Sequence, residues 1–208
     1  MTLQIATPGT FTTPGLPNLS VVGFSDTFGR GNSGSLGYTE RPKRAWMLEP
    51  NDPASLTGGV VSGQGYIKRT ASAGPGYAMA ESYAADCTIS ITLSTLATGW
   101  QREFGLMFRY ESANNMWRFY SRDGSEYRLA KYVNGSTTII WTSTGITPTS
   151  GDVLSAVLNG SSVAVSINGV QVHSLTDSHC ATATVHGWYG NSIEDTDRVD
   201  NISVVPLG

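Results

Sequence analysis

Six long side chains between residues 104 and 141 are of types that bind sugars, and we predict that they share one face of a sheet. Tyrosine and tryptophan can stack on the apolar face of a sugar ring, and an arginine fork can pair with a carboxylate or phosphate group. We therefore predict a carbohydrate-binding face. Alternatively, an exposed sheet simply carries long amphipathic residues here, or packs against another subunit. The six residues are Arg109, Arg118, Tyr120, Arg128, Tyr132 and Trp141.

The strands that would position these side chains follow from apolar alternation. Phe104, Leu106 and Phe108 recur at every second position, which is the period of a half-buried strand, so they point into a core. The chain then returns through Trp117 and Phe119, which continue the apolar side. Residues between these positions therefore face away from the core.

The next turn decides the register of the following strand. A three-residue loop of Arg122, Asp123 and Gly124 predicts Trp117 opposite Leu129, and it keeps the apolar side chains on one face. A two-residue loop would slip the register by one residue and turn every side chain across the sheet. We therefore reject the shorter loop.

A further hairpin is predicted at Asn134-Gly135, because this dipeptide accepts the positive φ angles of a type I′ turn. That turn would set Arg128 opposite Trp141, while the preceding hairpin would set Arg118 opposite Arg128. Like charges that face each other destabilise a sheet unless an anion lies between them. The pattern therefore favours an anionic glycan.

Composition indicates one all-β domain. Only 14% of the 208 residues are charged, 24 are glycine, and turn dipeptides separate short alternating segments. About fourteen predicted strands suit two stacked antiparallel sheets. Residues 21–208 form this domain, and residues 1–20, rich in Thr, Pro and Gly, form an extended arm. The arm is either a strap that docks on a neighbouring subunit or a disordered leader.

Charge and hydropathy exclude two classes of partner. A net charge of -3 without a polybasic stretch argues against nucleic acid, and no apolar run is long enough to span a bilayer. We find no signal peptide and expect the mature chain to begin at Met1. Cys87 and Cys180 are either free buried thiols or a late-forming disulfide.

Catalytic patterns are absent from the sequence, so we predict a non-enzymatic protein. No strand carries the alternating acids that glycoside hydrolysis uses; the closest pattern, Glu194-Asp195-Thr196-Asp197, lies in a predicted loop. No Gly-x-Ser-x-Gly elbow marks a nucleophile. The three histidines also lack the spacing of zinc ligands.

In order along the chain, several motifs resemble concanavalin A-like (laminin G-like) jelly-roll domains, especially those of tail and other virion proteins of phages that infect actinobacteria. The motifs span residues 24–204. They are Phe24-Ser25-Asp26-Thr27-Phe28-Gly29-Arg30, Gly105-Leu106-Met107-Phe108-Arg109, Trp117-Arg118-Phe119, Tyr127-Arg128-Leu129, Gly187-Trp188-Tyr189-Gly190 and Arg198-Val199-Asp200-Asn201-Ile202-Ser203-Val204.

The resemblance implies a two-sheet antiparallel sandwich in which the first and last strands pair and a curved sheet often binds glycans. Related folds hold a structural calcium ion with a last-strand aspartate, which makes Asp26 and Asp200 candidate ligands. Calcium takes roughly six to eight oxygens, so these two acids are insufficient alone. Ordinary capping or turn hydrogen bonds are the alternative for both.

The resemblance also implies a function and a location. We expect a minor tail protein of a phage virion that binds host cell-wall carbohydrate, is anchored through its arm to other virion proteins, and forms a homo-oligomer. A structural or capsid-decorating subunit without a glycan ligand is the first alternative. A glycan-degrading hydrolase is the second, and it would need acids brought together from distant loops.

Overall fold

A computed structural model describes residues 22–50, 54–69, 74–97, 99, 102–191 and 196–208. The predicted arm, residues 1–20, lies outside the described residues, as do Glu194 and Asp195. Within the described ranges every regular element is a β-strand, and the strands form two antiparallel sheets. The predicted all-β sandwich is confirmed.

The first sheet has eight strands. Their order across the sheet is β13 (Val170–Thr176), β12 (Ser162–Ile167), β11 (Val153–Asn159), β6 (Cys87–Thr95), β15 (Arg198–Pro206), β4 (Gln64–Arg69) and β3 (Leu56–Val61), and β1 (Phe24–Asp26) also pairs with β15. The predicted pairing of the first and last strands is therefore confirmed.

The second sheet has seven strands. Their order is β10 (Ser136–Thr142), β9 (Glu126–Val133), β8 (Asn115–Arg122), β7 (Glu103–Ser112), β14 (Val185–Asn191), β5 (Pro75–Glu81) and β2 (Met47–Glu49). Strands β7 to β10 are joined by consecutive hairpins, and they correspond to the strands predicted between residues 104 and 141.

The core lies between the two sheets. In β6, residues Cys87, Ile89, Ile91 and Leu93 are fully buried, and the Thr and Ser residues between them are half-buried. Phe104, Leu106, Phe108, Trp117 and Phe119 of the second sheet belong to the same buried cluster. Fully burying a large apolar side chain contributes about 1.5–3 kcal/mol, so this layer holds the sheets together.

Strand β3 was not predicted, because Gly58 and Gly59 interrupt its apolar alternation. A Cβ atom on Gly59 would lie 2.1 Å from the carbonyl oxygen of Ser33. The glycine is required for this close approach, in which Ser33 and Val60 exchange backbone hydrogen bonds of 2.8 Å. A constraint of this kind leaves no periodic signal.

The predicted tight hairpin at Asn134-Gly135 is confirmed, and Asn168-Gly169 forms a second one. Val133 pairs with Ser136 across Asn134 and Gly135, whose φ angles are 48° and 83°. Ile167 pairs with Val170 across Asn168 and Gly169, with φ angles of 50° and 79°.

The register of β8 against β9 differs from the prediction by two residues. The three-residue loop is Asp123 to Ser125 rather than Arg122 to Gly124, because Arg122 still pairs with Glu126. Trp117 consequently lies opposite Lys131 instead of Leu129. A shift of two keeps every side chain on its predicted face.

The predicted opposition of Arg118 and Arg128 is wrong for the same reason. Arg118 lies opposite Ala130, and Arg128 lies opposite Tyr120. The argument for an anionic ligand from facing arginines therefore fails.

The outer face of the seven-stranded sheet carries a second apolar cluster, which we call the outer cluster. It consists of buried side chains that point away from the first sheet: Tyr77, Met79, Met107, Met116, Tyr120, Ala130 and Tyr189. This sheet therefore has packed side chains on both faces. No described segment forms a helix of the length and apolarity needed to cross a membrane.

Candidate functional site

A groove of about 430 Å³ opens on the outer face of the seven-stranded sheet, above the outer cluster. We call it the outer groove. It is lined by Pro75, Glu103, Arg118, Tyr120, Arg122, Arg128, Tyr132, Thr137, Ile139, Tyr189 and Asn191. Strands β5, β7, β8, β9, β10 and β14 all contribute, so the groove crosses most of the sheet.

Four of the six predicted carbohydrate-binding residues line this groove. Arg118 and Tyr120 alternate with core residues on β8, and Arg128 and Tyr132 do so on β9. The predicted faces of these two strands are therefore correct. Their role in binding sugar stays a prediction.

Arg109 does not lie on the outer face, so its predicted position is wrong. The pairing of β7 is irregular between Phe108 and Ser112, and Arg109 has a φ angle of 51°. Such a bulge redirects a side chain. The Arg109 side chain is fully buried, and its Nη2 donates to the carbonyl oxygen of Gly160 at 2.6 Å.

Trp141 also lies on the opposite side from its predicted position. Ile139 pairs with Ala130, but Trp141 pairs with Leu129, so one residue of β10 is bulged. The bulge brings Trp141 to the core side, where its ring centroid lies 6.4 Å from that of Phe119. The tryptophan therefore supports the core and does not line the groove.

Arg118 is held at the floor of the groove by aromatic rings. Its guanidinium carbon lies 4.6 Å from the ring centroid of Tyr189, 4.8 Å from that of Tyr132 and 5.8 Å from that of Tyr120. Nη2 donates to Thr137 Oγ1 at 2.9 Å. These contacts fix the plane of the guanidinium, which favours directional hydrogen bonding to a ligand.

The other two arginines of the groove are paired with acids. Arg122 forms ion pairs with Glu103 and with Asp123, the latter at 3.1 Å. Arg128 Nη2 lies 2.5 Å from a carboxylate oxygen of Glu126. Both remain partly exposed, so a ligand at the rim can still reach them.

Glu103 also accepts a hydrogen bond from the hydroxyl of Tyr189. The sequence reasoning missed both residues as members of the site. The signal was present, because Glu103 precedes the core residue Phe104 on β7 and Tyr189 follows the core residue Trp188 on β14. Alternation therefore places both on the outer face.

Tyr120 is protonated at ordinary pH. Burial raises the pKa of its hydroxyl, the negative charge of Glu103 adds to the increase, and the positive charges of Arg118 and Arg128 oppose it. Tyr120 therefore presents a neutral hydroxyl on the groove floor, where it can donate to a sugar oxygen.

Asp26 and Asp200, the candidate calcium ligands, differ in their surroundings. The buried Asp26 carboxylate accepts hydrogen bonds from the Phe28 amide at 2.8 Å, from Arg30 at 2.7 and 3.1 Å, and from the Trp46 indole at 2.7 Å. A cation there would have to displace these donors. No group of three or more potential metal ligands occurs among the described side chains. Calcium stays a prediction.

Both cysteines are free and buried, so the thiol alternative is the one observed. Burial raises the pKa of Cys87 and of Cys180 to about 12, and each thiol lies near a histidine ring nitrogen, at 3.7 Å and 3.4 Å respectively. Neither thiol is activated as a nucleophile.

Comparison with known proteins identifies the fold. No protein-family profile and no curated protein matches this sequence. Among solved structures, carbohydrate-binding module CBM66 of Bacillus subtilis is 14% identical, with a TM-score of 0.51 over 86% of this chain and 92% of that one. The catalytic domain of an endo-1,3-β-glucanase from Thermotoga petrophila is 10% identical, with a TM-score of 0.56 over 87% and 95%.

A third similar structure is the CBM2 module of an evolved Dit protein of Lactobacillus casei BL23 phage J-1. It is 11% identical, with a TM-score of 0.52 over 90% of this chain and 98% of that one. At such low identities the likeness shows the concanavalin A-like jelly-roll fold alone. The fold is shared by binding modules and by catalytic domains.

Proposed function

We propose that this chain is a non-enzymatic, lectin-like domain that binds carbohydrate in the outer groove. The observation that carries this proposal is the composition of the groove, in which tyrosine rings and arginine forks converge on one concave surface. Sugar rings stack on aromatic side chains, and their hydroxyl groups accept hydrogen bonds from guanidinium groups. Carbohydrate-binding modules among the similar structures support this choice.

The acids among the described groove residues support a binding role over hydrolysis. Among the described residues that line the groove, Glu103 is the only carboxylate, and it is engaged by Arg122 and Tyr189. Glycoside hydrolysis commonly uses two carboxyl groups about 5–9.5 Å apart.

The proposal extends to a minor tail protein of a phage virion that adheres to host cell-surface carbohydrate. The resemblance of the sequence motifs to virion proteins and the similarity to a phage Dit module support this part. Residues 1–20 would anchor the domain to other virion proteins, and the assembly would be a homo-oligomer. A cryo-electron microscopy map of the parent particle would test the location and the copy number.

Glycan binding is tested on an array of bacterial cell-wall polysaccharides. We expect Tyr132→Ala to weaken binding by at least about tenfold, because it removes a half-buried ring from the groove wall. Tyr83→Ala is a matched control, because Tyr83 also has an arginine above its ring, at 4.6 Å, but lies outside the groove. Equal binding by the two variants would exclude the outer groove.

The alternatives give different results in the same experiment. A protein that binds no glycan on the array would be the structural or capsid-decorating subunit. Release of new reducing ends from a bound polysaccharide would identify a hydrolase and overturn the non-enzymatic assignment.

A further inference from the structure

The charges of the outer groove are not balanced. Glu103 and Glu126 pair with Arg122 and Arg128, respectively. Among the described residues, none places a carboxylate oxygen within 4.0 Å of Arg118. One cation of the groove therefore has no counterion among the side chains that the structure describes.

This unpaired cation is also buried. Arg118 is 5% exposed, and burying a charge is costly unless an opposite charge or several hydrogen bonds compensate it. The stacked tyrosine rings compensate part of the cost, because their faces carry partial negative charge. The arrangement holds the guanidinium in place and leaves its charge available to a ligand.

The hydrogen-bonding groups of Arg118 are only partly used. Nη2 donates to Thr137, whereas Nε is shielded from solvent and has no partner. Within the described part of the chain, no hydrogen bond involves Nη1. The end of the side chain that lines the groove therefore has free donor capacity.

We infer that Arg118 binds an oxyanion substituent of the glycan, which is the carboxylate of an acidic sugar or a phosphate of a cell-wall polymer. This inference rests on the proposed function, because it assigns the ligand class of the same groove. The oxyanion would supply the missing counterion, and the Thr137 hydroxyl and the rim arginine Arg128 would supply further donors. A neutral sugar would leave the charge unpaired.

The direct test is a nuclear magnetic resonance titration of the arginine side chains with ¹⁵N labelling. The Nε proton of Arg118 is shielded from solvent, and with added ¹³C labelling its resonance is assigned in the wild-type chain by through-bond correlation to the Arg118 backbone amide. The probes are methyl β-glucuronide, its neutral counterpart methyl β-glucoside, and glycerol phosphate. We expect this resonance to shift with at least one anionic probe and not with the glucoside.

The two anionic probes distinguish the sources of the oxyanion. A shift with glucuronide alone assigns an acidic sugar, and a shift with glycerol phosphate alone assigns a phosphate polymer. The absence of any shift, or an equal shift with the glucoside, would overturn the inference. The titration uses the wild-type chain, so it stays decisive if a variant does not fold.

Variants extend the test to polysaccharides from the array. We expect Arg118→Gln to weaken binding of an acidic glycan by at least about tenfold, and Arg118→Lys to restore part of it, because lysine keeps the charge but loses the fork. Arg198→Gln is the matched control, because Arg198 also lies over a tyrosine ring, at 5.1 Å from Tyr66, but on the other sheet. It should bind as the wild type does.

Failure of the inference is separable from failure of the proposed function. If the array detects neutral glycans alone, and Tyr132→Ala weakens their binding whereas Arg118→Gln does not, the groove is a carbohydrate site and the oxyanion assignment is wrong. If no glycan binds and no probe shifts the Arg118 resonance, both are wrong.

Discussion

Replacing Asp26 by asparagine should destabilise the fold by about 3 kcal/mol. The buried carboxylate accepts four N–H groups, two on each oxygen, from Phe28, Arg30 and Trp46. Asparagine has nearly the same shape, but only one of its two terminal atoms is an acceptor oxygen. Its NH₂ group would face the two N–H donors that the second carboxylate oxygen accepts. Two hydrogen bonds are lost, and the charge that pairs with Arg30 is removed.

The magnitude follows from these contacts. A hydrogen bond to a charged group contributes about 1.5–3 kcal/mol, and breaking a buried ion pair costs about 3–5 kcal/mol. The Arg30 side chain is 30% exposed, so water can solvate its guanidinium and compensate part of the lost ion-pair energy. The expected value therefore lies at the lower end of the range for a buried pair.

The assay is urea unfolding at neutral pH, followed by circular dichroism. Asp200→Asn is the control, because the half-buried Asp200 carboxylate accepts one local hydrogen bond, from Asn201 at 2.8 Å. We expect that substitution to change the free energy of unfolding by less than about 0.5 kcal/mol. A similarly small change for Asp26→Asn would refute the reasoning.

The same assay tests calcium. If Asp26 and Asp200 bind the ion, calcium should stabilise the wild type, and either substitution should abolish the increase. An unchanged free energy of unfolding in calcium would dismiss the ion.

Three further predictions concern the core. Trp141→Ala should lower the free energy of unfolding by about 2 kcal/mol without changing glycan affinity, because the half-buried ring packs on the core side; weakened binding at full stability would contradict this placement. Burial lowers the pKa of His186 to about 4, so unfolding free energy should fall by up to about 1.4 kcal/mol per pH unit between pH 6.5 and 4, and His186→Gln should lose this slope. Cys87 and Cys180 should react with a thiol reagent in the native state only as fast as the chain opens; immediate reaction would show that they are accessible.

The sign of the histidine effect follows from its hydrogen bonds. His186 Nε2 donates to the carbonyl oxygen of Ala84 at 3.0 Å, and Nδ1 accepts from the backbone N–H of Arg109 at 3.2 Å. A second proton on Nδ1 would point at the backbone N–H of Arg109, so two hydrogen-bond donors would face each other close to the positive charge of the Arg109 side chain. The unfolded chain therefore binds the proton more readily than the folded chain, and stability falls as the pH is lowered from 6.5.

Apolar alternation and turn chemistry predicted the sandwich and four of the residues that line the outer groove. Alternation is a local property, so the faces of Arg118, Tyr120, Arg128 and Tyr132 could be predicted from their own strands. The positive φ angles of Asn134-Gly135 could be predicted equally well, because they depend on the dipeptide itself.

The remaining positions depend on contacts that are distant in sequence. The inward side chains of Arg109 and Trp141 contact partners that are distant in sequence. Arg109 donates to Gly160, in the turn after β11, and the Trp141 ring stacks on His173 of β13 with ring centroids 6.2 Å apart. The residue type at a bulge is the same as at a regular strand position, so the sequence does not reveal which residues interrupt the alternation. Tyr189 was missed because β14 joins this sheet from far along the chain.

The outer cluster limits how this domain can diversify. Tyr120 and Tyr189 are at once the floor of the groove and part of a packed apolar layer, so replacing them would sacrifice folding before it altered ligand preference. Ile139 is exposed on the edge strand β10 and can be replaced with little effect on the fold. Related proteins with other ligands should therefore differ at the exposed rim of the groove and retain the residues of its floor.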